Sequence, residues 1–243
     1  MAETVYVCGA KGGAGASTFT FRLASALSAL GERTLIFDGD AEFGGALEIS
    51  GMGGLNVYTL ADAAAGACRV KQAILQHPSS PNLYILPSLG CSDGDMHARA
   101  VEECKRLFDV ILCDGGAAGA CNRAIVVSEP YPHSLAYAKR RGAQITDGGL
   151  EKCELVVNKV NGGLVFDGAI LTPQEFAAVA RLPLLGVIPE DLSLPLLKMR
   201  ADTGRAFNLT AEALLGRSKK VFGTMRAYSG MGGIIKRKMR ERI

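Results

Sequence analysis

Short apolar runs recur along this 243-residue chain, near 4–8, 34–38, 83–87, 109–113, 124–128, 154–158 and 184–188. Each has the length of an ordinary strand. Val110-Ile111-Leu112-Cys113 is apolar at successive positions rather than at alternate ones, the pattern of a strand buried on both faces. Between most of these runs the apolar residues return every three or four positions, which predicts helices over 18–30, 57–76, 94–107, 132–144, 172–181 and 206–228. Strands alternating with helices predict an α/β domain: a mostly parallel, doubly wound sheet flanked by helices. No repeat or low-complexity linker interrupts 1–228, so that stretch reads as one domain. Ser229-Gly230-Met231-Gly232-Gly233 reads as a hinge into a short tail, 229–243.

Composition sharpens this picture in three places. Hydrophobic residues make up 48% of the chain, aromatic residues only 6%, and tryptophan is absent, so the core is expected to be packed by Ala, Val, Leu and Ile. No run of about 18 uncharged apolar residues is present, and the chain opens directly into its first strand, so neither a transmembrane helix nor a signal peptide is expected. The seven cysteines, at 8, 68, 91, 104, 113, 121 and 153, contain no C-x-x-C pair. That usage suits structural thiols in a reducing cytosol rather than a disulfide scaffold or a zinc site.

Charge is unevenly spread. Residues 217–243 hold nine Lys/Arg and one acid, a net +8, whereas the whole chain is +3, which leaves −5 on the other 216 residues. An acidic body with a basic tail points to an anionic surface as partner. In the tail, Met231, Ile235, Met239 and Ile243 recur every four residues and Ile234 joins them, so a helix there carries an apolar stripe. Lys236, Arg237 and Arg240 lie off the stripe. Lys238 and Arg242 fall within it, where long side chains snorkel outward. The expected partner of 231–243 is an anionic membrane surface.

The chemistry is concentrated near the N-terminus. Gly9-Ala10-Lys11-Gly12-Gly13-Ala14-Gly15-Ala16-Ser17 follows the first apolar run and precedes the helical pattern that opens at Thr18. A glycine loop between strand and helix turns several backbone N–H groups onto one anion, and the helix adds its positive end. Ser17 stands where a hydroxyl holds Mg²⁺ in such loops. The usual G-K-[ST] ending reads Gly15-Ala16-Ser17, so the lysine that meets the β/γ-phosphates is missing, while Lys11 stands upstream.

A loop of the form K-G-G-x-G-x-[ST] resembles the deviant Walker A motif of the MinD/ParA family of P-loop ATPases. Further matches extend the resemblance over nearly the whole chain. Leu35-Ile36-Phe37-Asp38-Gly39-Asp40 looks like that family's second strand and switch I. Phe108 to Asp114 resembles a Walker B strand, and Gly115 to Gly119 resembles switch II. Leu155-Val156-Val157-Asn158-Lys159 and Leu184-Leu185-Gly186-Val187-Ile188-Pro189-Glu190-Asp191 resemble the two strands that close over the base. The loop itself is similar to that of the CpaE/TadZ branch.

The resemblance implies a P-loop NTPase fold with ATP and Mg²⁺ as ligands. It implies that Gly12, Gly13, Ala14, Gly15, Ala16, Ser17 and Thr18 surround the phosphates, and that Asn158 and Pro189 contact the base. It implies that Ser17, Asp38 and Asp114 serve the metal, that Asp40 positions the hydrolytic water, and that Lys11 reaches across a nucleotide-dependent homodimer. Loss of the phosphate lysine at Ala16 weakens hydrolysis on this reading. About ten residues separate Asp114 from the strand at Ala124, where MinD-like proteins place a helix, and Gly115 to Asn122 is too short for one. The expected protein is a cytoplasmic, peripherally membrane-bound positioning ATPase of cell division or polar localisation, with an unidentified protein cargo or activator. The alternatives are a catalytically inactive CpaE/TadZ-like scaffold and, last, a ParA-like DNA-partition ATPase, which the acidic body disfavours.

Overall fold

The computed structural model describes residues 2–150, 152–194 and 198–225. The basic amphipathic tail, 229–243, lies outside the described residues. The chain runs through β1 (Glu3–Gly9), α1 (Ala16–Ala29), β2 (Thr34–Asp38), α2 (Gly45–Ile49), α3 (Leu60–Ala64), β3 (Leu75–Gln76), β4 (Leu83–Pro87), α4 (Gly94–Cys104) and β5 (Val110–Asp114). It continues through β6 (Arg123–Ser128), α5 (Pro132–Asp147), β7 (Cys153–Val160), α6 (Gly162–Phe166), α7 (Pro173–Ala180), β8 (Leu184–Pro189) and α8 (Ala201–Leu214).

The strands form one sheet in the order β3-β4-β2-β5-β1-β6-β7-β8. All pairings are parallel except that of β3 with β4. The residues of β2, β5 and β6 are buried along their whole length, and their central runs, 35–37, 110–113 and 124–127, are apolar at every position, as burial on both faces requires. Val5, Val7, Ile36, Leu112, Ile125 and Val127 face a core built with Phe19, Leu23 and Leu27 of α1 and Phe207 and Ala211 of α8. On the opposite face, Phe37, Ile111 and Cys113 pack with Ala100 and Val101 of α4, and Val126, Leu155 and Val157 pack with Ala138 of α5 and Phe176 of α7. Helices cover both faces, so the sheet is doubly wound.

One consequence positions the site. β2 and β4 lie on one side of the β1/β5 pair, while β6, β7 and β8 lie on the other. The carboxyl end of β1 is thus where the winding direction reverses, the place at which open α/β sheets bind their ligands.

Two expected helices differ from the structure. The 57–76 segment is not one helix: α3 ends at Ala64 and is capped by Ala65, Gly66 follows with φ 77°, and a 3₁₀ turn (Val70–Gln72) leads into β3. The last helix is shifted toward the N-terminus of the expected 206–228, spanning Ala201–Leu214 and stopping at Gly216 with φ 71°. Both stops are glycines in the left-handed conformation that terminates helices. Residues 115–122 hold only a 3₁₀ turn (Ala118–Ala120), in agreement with the shortness of that segment.

Arg123 ties the far end of the sheet together. It is 3% exposed. Its guanidinium donates to Glu154 on β7, to Glu3 on β1 and, at 2.8 Å, to the carbonyl of Leu214 at the end of α8. Removing a buried cation strands its acceptors. Arg123→Met is expected to destabilise the fold by about 2–4 kcal/mol, measured by urea denaturation, with nucleotide-loop chemistry at the other end of the sheet untouched.

Candidate functional site

β1 ends at Gly9, and the chain turns through residues 10–15 before α1 begins at Ala16. The Ala10 N–H donates to the Val127 carbonyl of β6 at 2.8 Å, and the Ala14 N–H closes a turn on the Lys11 carbonyl at 3.3 Å. Gly13 and Gly15 hold φ 77° and 88°, which side-chain-bearing residues rarely adopt. Gly15 caps α1 without a side-chain hydrogen bond, which leaves the first N–H groups of the helix turned toward the loop's interior. The loop, Ser17, Thr18, Asp40 and Asp114 line one cavity of 580 Å³ at the carboxyl ends of β1, β2 and β5.

The loop is fastened from β6 and β7. Asn158 donates to the Ala14 carbonyl at 2.9 Å. Lys159, with φ 55°, places its ammonium 2.8 Å from the Gly13 carbonyl and 2.8 Å from Glu129. Glu129 also holds Lys11, at 2.8 Å. Burial raises the Glu129 carboxyl, but hydrogen bonds from Lys11 and Lys159 outweigh it and hold the group below the usual glutamate range. Any side chain at Gly15 would meet the Asn158 amide at 2.8 Å, so the loop and its brace fit only without one.

The opposite wall is acidic. Asp38 and Asp114 are neighbours in the β2/β5 register. Asp38 is fully buried and accepts from the Leu47 N–H at 2.7 Å, which anchors α2. Asp40 accepts the N–H groups of Glu42 and Phe43 through one oxygen. Its other oxygen and the Ser17 hydroxyl converge on Gly45, where a Cβ would lie 3.6 Å and 3.2 Å from them. Thr20 donates to Asp114 at 3.4 Å, and Ser17 also hydrogen-bonds that carboxylate. Burial, together with the charges of Asp38 and Asp40, pushes Asp114 up to about 6 against the pull of those hydroxyls. Burial likewise raises Asp38, despite its backbone hydrogen bonds.

This donor set fits Mg²⁺. Crowded carboxylates beside a serine hydroxyl mark a place where a cation lowers the energy of the charges around it. Among the described residues no three His, Cys, Asp or Glu side chains stand close enough to hold an ion between them. Such an ion would be held by the Ser17 hydroxyl and by ligand oxygens, with the carboxylates reaching it through water, as Mg²⁺ commonly allows.

The sequence-derived residues thus divide. Lys11, Gly12, Gly13, Ala14, Gly15, Ala16, Ser17, Thr18, Asp40 and Asp114 share the cavity. Asp38 sits beneath it, and Asn158 sits behind the loop as a brace. Pro189 lies apart, lining a larger groove of 1140 Å³ with Asn161, Glu190 and Asp191 at the ends of β7 and β8. Sequence reasoning missed Glu129 and Lys159. The position of Lys159, directly after Asn158, was the one available signal.

The CobQ/CobB/MinD/ParA nucleotide binding domain model matches residues 5–203. The septum site-determining protein MinD of Escherichia coli K12 is 28% identical over 251 residues, covering 90% of this chain and 93% of that protein. Among solved structures, MinD in the MinC:MinD cell division complex of Aquifex aeolicus superposes with a TM-score of 0.81 at 25% identity, covering 91% of this chain and 100% of that one. The septum site-determining protein MinD of Pyrococcus horikoshii, complexed with Mg-ADP, superposes with a TM-score of 0.77 at 25% identity, covering 90% and 100%.

Asp114 gives a test in the unliganded chain. A carboxyl raised from 3.8 to about 6 binds more protons folded than unfolded, so it lowers stability as pH rises through that window. Asp114→Asn removes the charge and keeps the shape. It is expected to stabilise the metal-free chain at pH 7 by about 1–3 kcal/mol, with the gain falling to about half by pH 5. Chemical denaturation in EDTA at the two pH values measures it.

Proposed function

The chain belongs to the CobQ/CobB/MinD/ParA nucleotide-binding domain family, and we propose that it is a MinD-like ATP-binding protein, a dimerising positioning factor at a membrane surface with weakened hydrolysis. The observation that carries this reading is the convergence of Ser17, Asp40 and Asp114 on one cavity beneath a loop that keeps Lys11 and lacks a lysine at Ala16. Mg²⁺ supplies charge neutralisation at the phosphates when bound.

The geometry supports a role for each residue. The backbone N–H groups of Gly12, Gly13 and Gly15 and those of the first turn of α1 receive the phosphates, while the Ala14 N–H closes the loop on Lys11. The Ser17 hydroxyl would bind the metal, and Asp114 holds that hydroxyl in place. Asp40, fixed by the Glu42 and Phe43 N–H groups, has one oxygen left to orient a water. Lys11 is folded back onto Glu129 in the single chain. To serve a partner's nucleotide it leaves that carboxylate, so dimerisation exchanges one ion pair for another. Glu129 then retains Lys159 and is not left without a cation.

A preorganised cation on the transferring phosphoryl group is worth several kcal/mol of transition-state stabilisation. Its absence at Ala16 favours slow turnover. A second reading, a non-hydrolysing scaffold resembling the CpaE/TadZ branch, is favoured by Ala16 and by the 3₁₀ turn where related proteins carry a helix. A DNA-partition role is third. No helix among the described residues is long and apolar enough to cross a membrane. The membrane contact is assigned to the tail, whose basic and apolar residues favour anionic lipid.

Two measurements test these assignments. ATP affinity and turnover compared for the unmodified chain and Ala16→Lys are expected to show roughly 10-fold or more tighter binding in the variant, as one charge-assisted contact supplies. Brisk hydrolysis by the unmodified chain, unimproved by the lysine, rules the account of Ala16 out. In sedimentation with anionic liposomes at low salt, the full chain is expected to bind and a chain ending at Ser229 to stay in solution. Dimerisation with ATP strengthens binding further, since two tails engage together. Equal binding by both chains rejects the membrane assignment.

A further inference from the structure

Three cations stand around the nucleotide loop, and two of them are already engaged. Lys11 is paired with Glu129, and Lys159 is shared between Glu129 and the Gly13 carbonyl. The third is Arg141, on α5. Its side chain lines the same 580 Å³ cavity as Ala16, Ser17 and Asp114. Among the described residues it forms no ion pair.

Its placement has a structural cause. Arg141 follows Ala138 by three residues and precedes Ile145 by four, and both of those are buried against the sheet. It therefore sits at the border of the helix's buried stripe, with its stem partly covered. It also lines a second cavity, of 310 Å³, together with Tyr6, Gly119 and Cys121. That second space lies beside the 3₁₀ turn Ala118–Ala120, the short segment that follows β5. With so little chain there, α5 borders the phosphate cavity directly. The guanidinium's charge is felt on β1: burial raises the Tyr6 phenol and pushes the Cys8 thiol up to about 12, and Arg141 opposes both shifts.

We propose that Arg141 is the phosphate-binding cation of this site in cis, reaching in from α5 to meet the anionic end of a polyphosphate that Ala16 does not contact. This rests on the nucleotide reading of the cavity. A guanidinium suits the role, because it is always charged and its planar fork bonds two phosphate oxygens at once. It is also the one cation lining this cavity without an acidic partner among the described residues, so binding an anion costs it no existing ion pair. The alanine at position 16 and the short 115–122 segment are then linked: the short segment leaves the route by which Arg141 serves the phosphates.

Calorimetric titration with inorganic tripolyphosphate and with ATP, both with Mg²⁺, tests this on the unmodified chain, Arg141→Gln, Arg141→Lys and Arg141→Gln combined with Ala16→Lys. Arg141→Gln is expected to weaken both ligands about 10- to 100-fold, the effect of losing one charge-assisted contact. Arg141→Lys is expected to retain part of the affinity, and the added lysine at Ala16 to restore the glutamine variant. The lysine should also help the glutamine variant more than the unmodified chain, since two cations then compete for one role. Thermal melts confirm that each variant is folded. Unchanged tripolyphosphate and ATP binding by folded Arg141→Gln overturns this proposal and leaves the nucleotide reading standing. Tripolyphosphate binding that depends on Arg141, without any ATP binding, overturns the nucleotide reading and leaves the cation in place. An unmodified chain that binds neither ligand overturns both.

Discussion

The carboxylate of Glu129 holds the site together. It lies just past β6 and gathers Lys11 from one end of the loop and Lys159 from β7. Lys159 and its neighbour Asn158 then fasten the carbonyls of Gly13 and Ala14. With the Ala14 carbonyl turned outward to the brace, the Gly15 N–H of the same planar peptide is left for the cavity, while the Ala14 N–H closes the turn on Lys11. A run so rich in glycine has little conformational preference of its own. Its shape is therefore imposed from β6 and β7, and the loop is prepared for an anion before any anion arrives. The usual cost of ordering a flexible loop on binding is met during folding instead.

The other half of the cavity works by tension between charges. Asp38, Asp40 and Asp114 are brought together by strand register and by the hydroxyls of α1. Burial raises Asp38 and Asp114 above the ordinary aspartate range. That is a poor arrangement for a structure with no ligand and a good one for a structure that acquires a cation. Stability withheld from the empty state becomes affinity in the loaded state. Two opposite halves, a braced basic loop and an unsettled acidic wall, give the cavity its direction.

Much of this was legible in the sequence, and the reason is locality. The loop from Lys11 to Ser17, the strand ending in Asp38 and the strand ending in Asp114 are each contiguous segments, and each strand was found within a residue or two. What was missed depends on distant parts of the chain. Glu129, Lys159 and Arg141 reach the loop only because β6, β7 and α5 pack beside β1. No spacing announces such contacts. The helix errors have a different origin. Apolar periodicity continues past Ala65 and Leu214, but Gly66 and Gly216 take left-handed backbone angles and end both helices. The punctuation was present and was outweighed by the pattern. β3 escaped notice because two residues paired at an edge leave no period to detect.

Gly39 and Gly115 show how this architecture would carry a message. The N–H of Gly39 donates to the Asp114 carbonyl at 3.0 Å, and a Cβ on Gly39 would lie 2.5 Å from the Gly115 carbonyl oxygen. Bare backbone therefore lies against bare backbone where the chain leaves β2 and β5. Two segments in such contact cannot slide past each other as side chains do; they behave as meshed teeth. A displacement begun at the surface beyond Gly115 would bear on Gly39, and through it on Asp40. In this chain the surface segment after β5 is a single tight turn, so the meshed pair is joined to only a short lever.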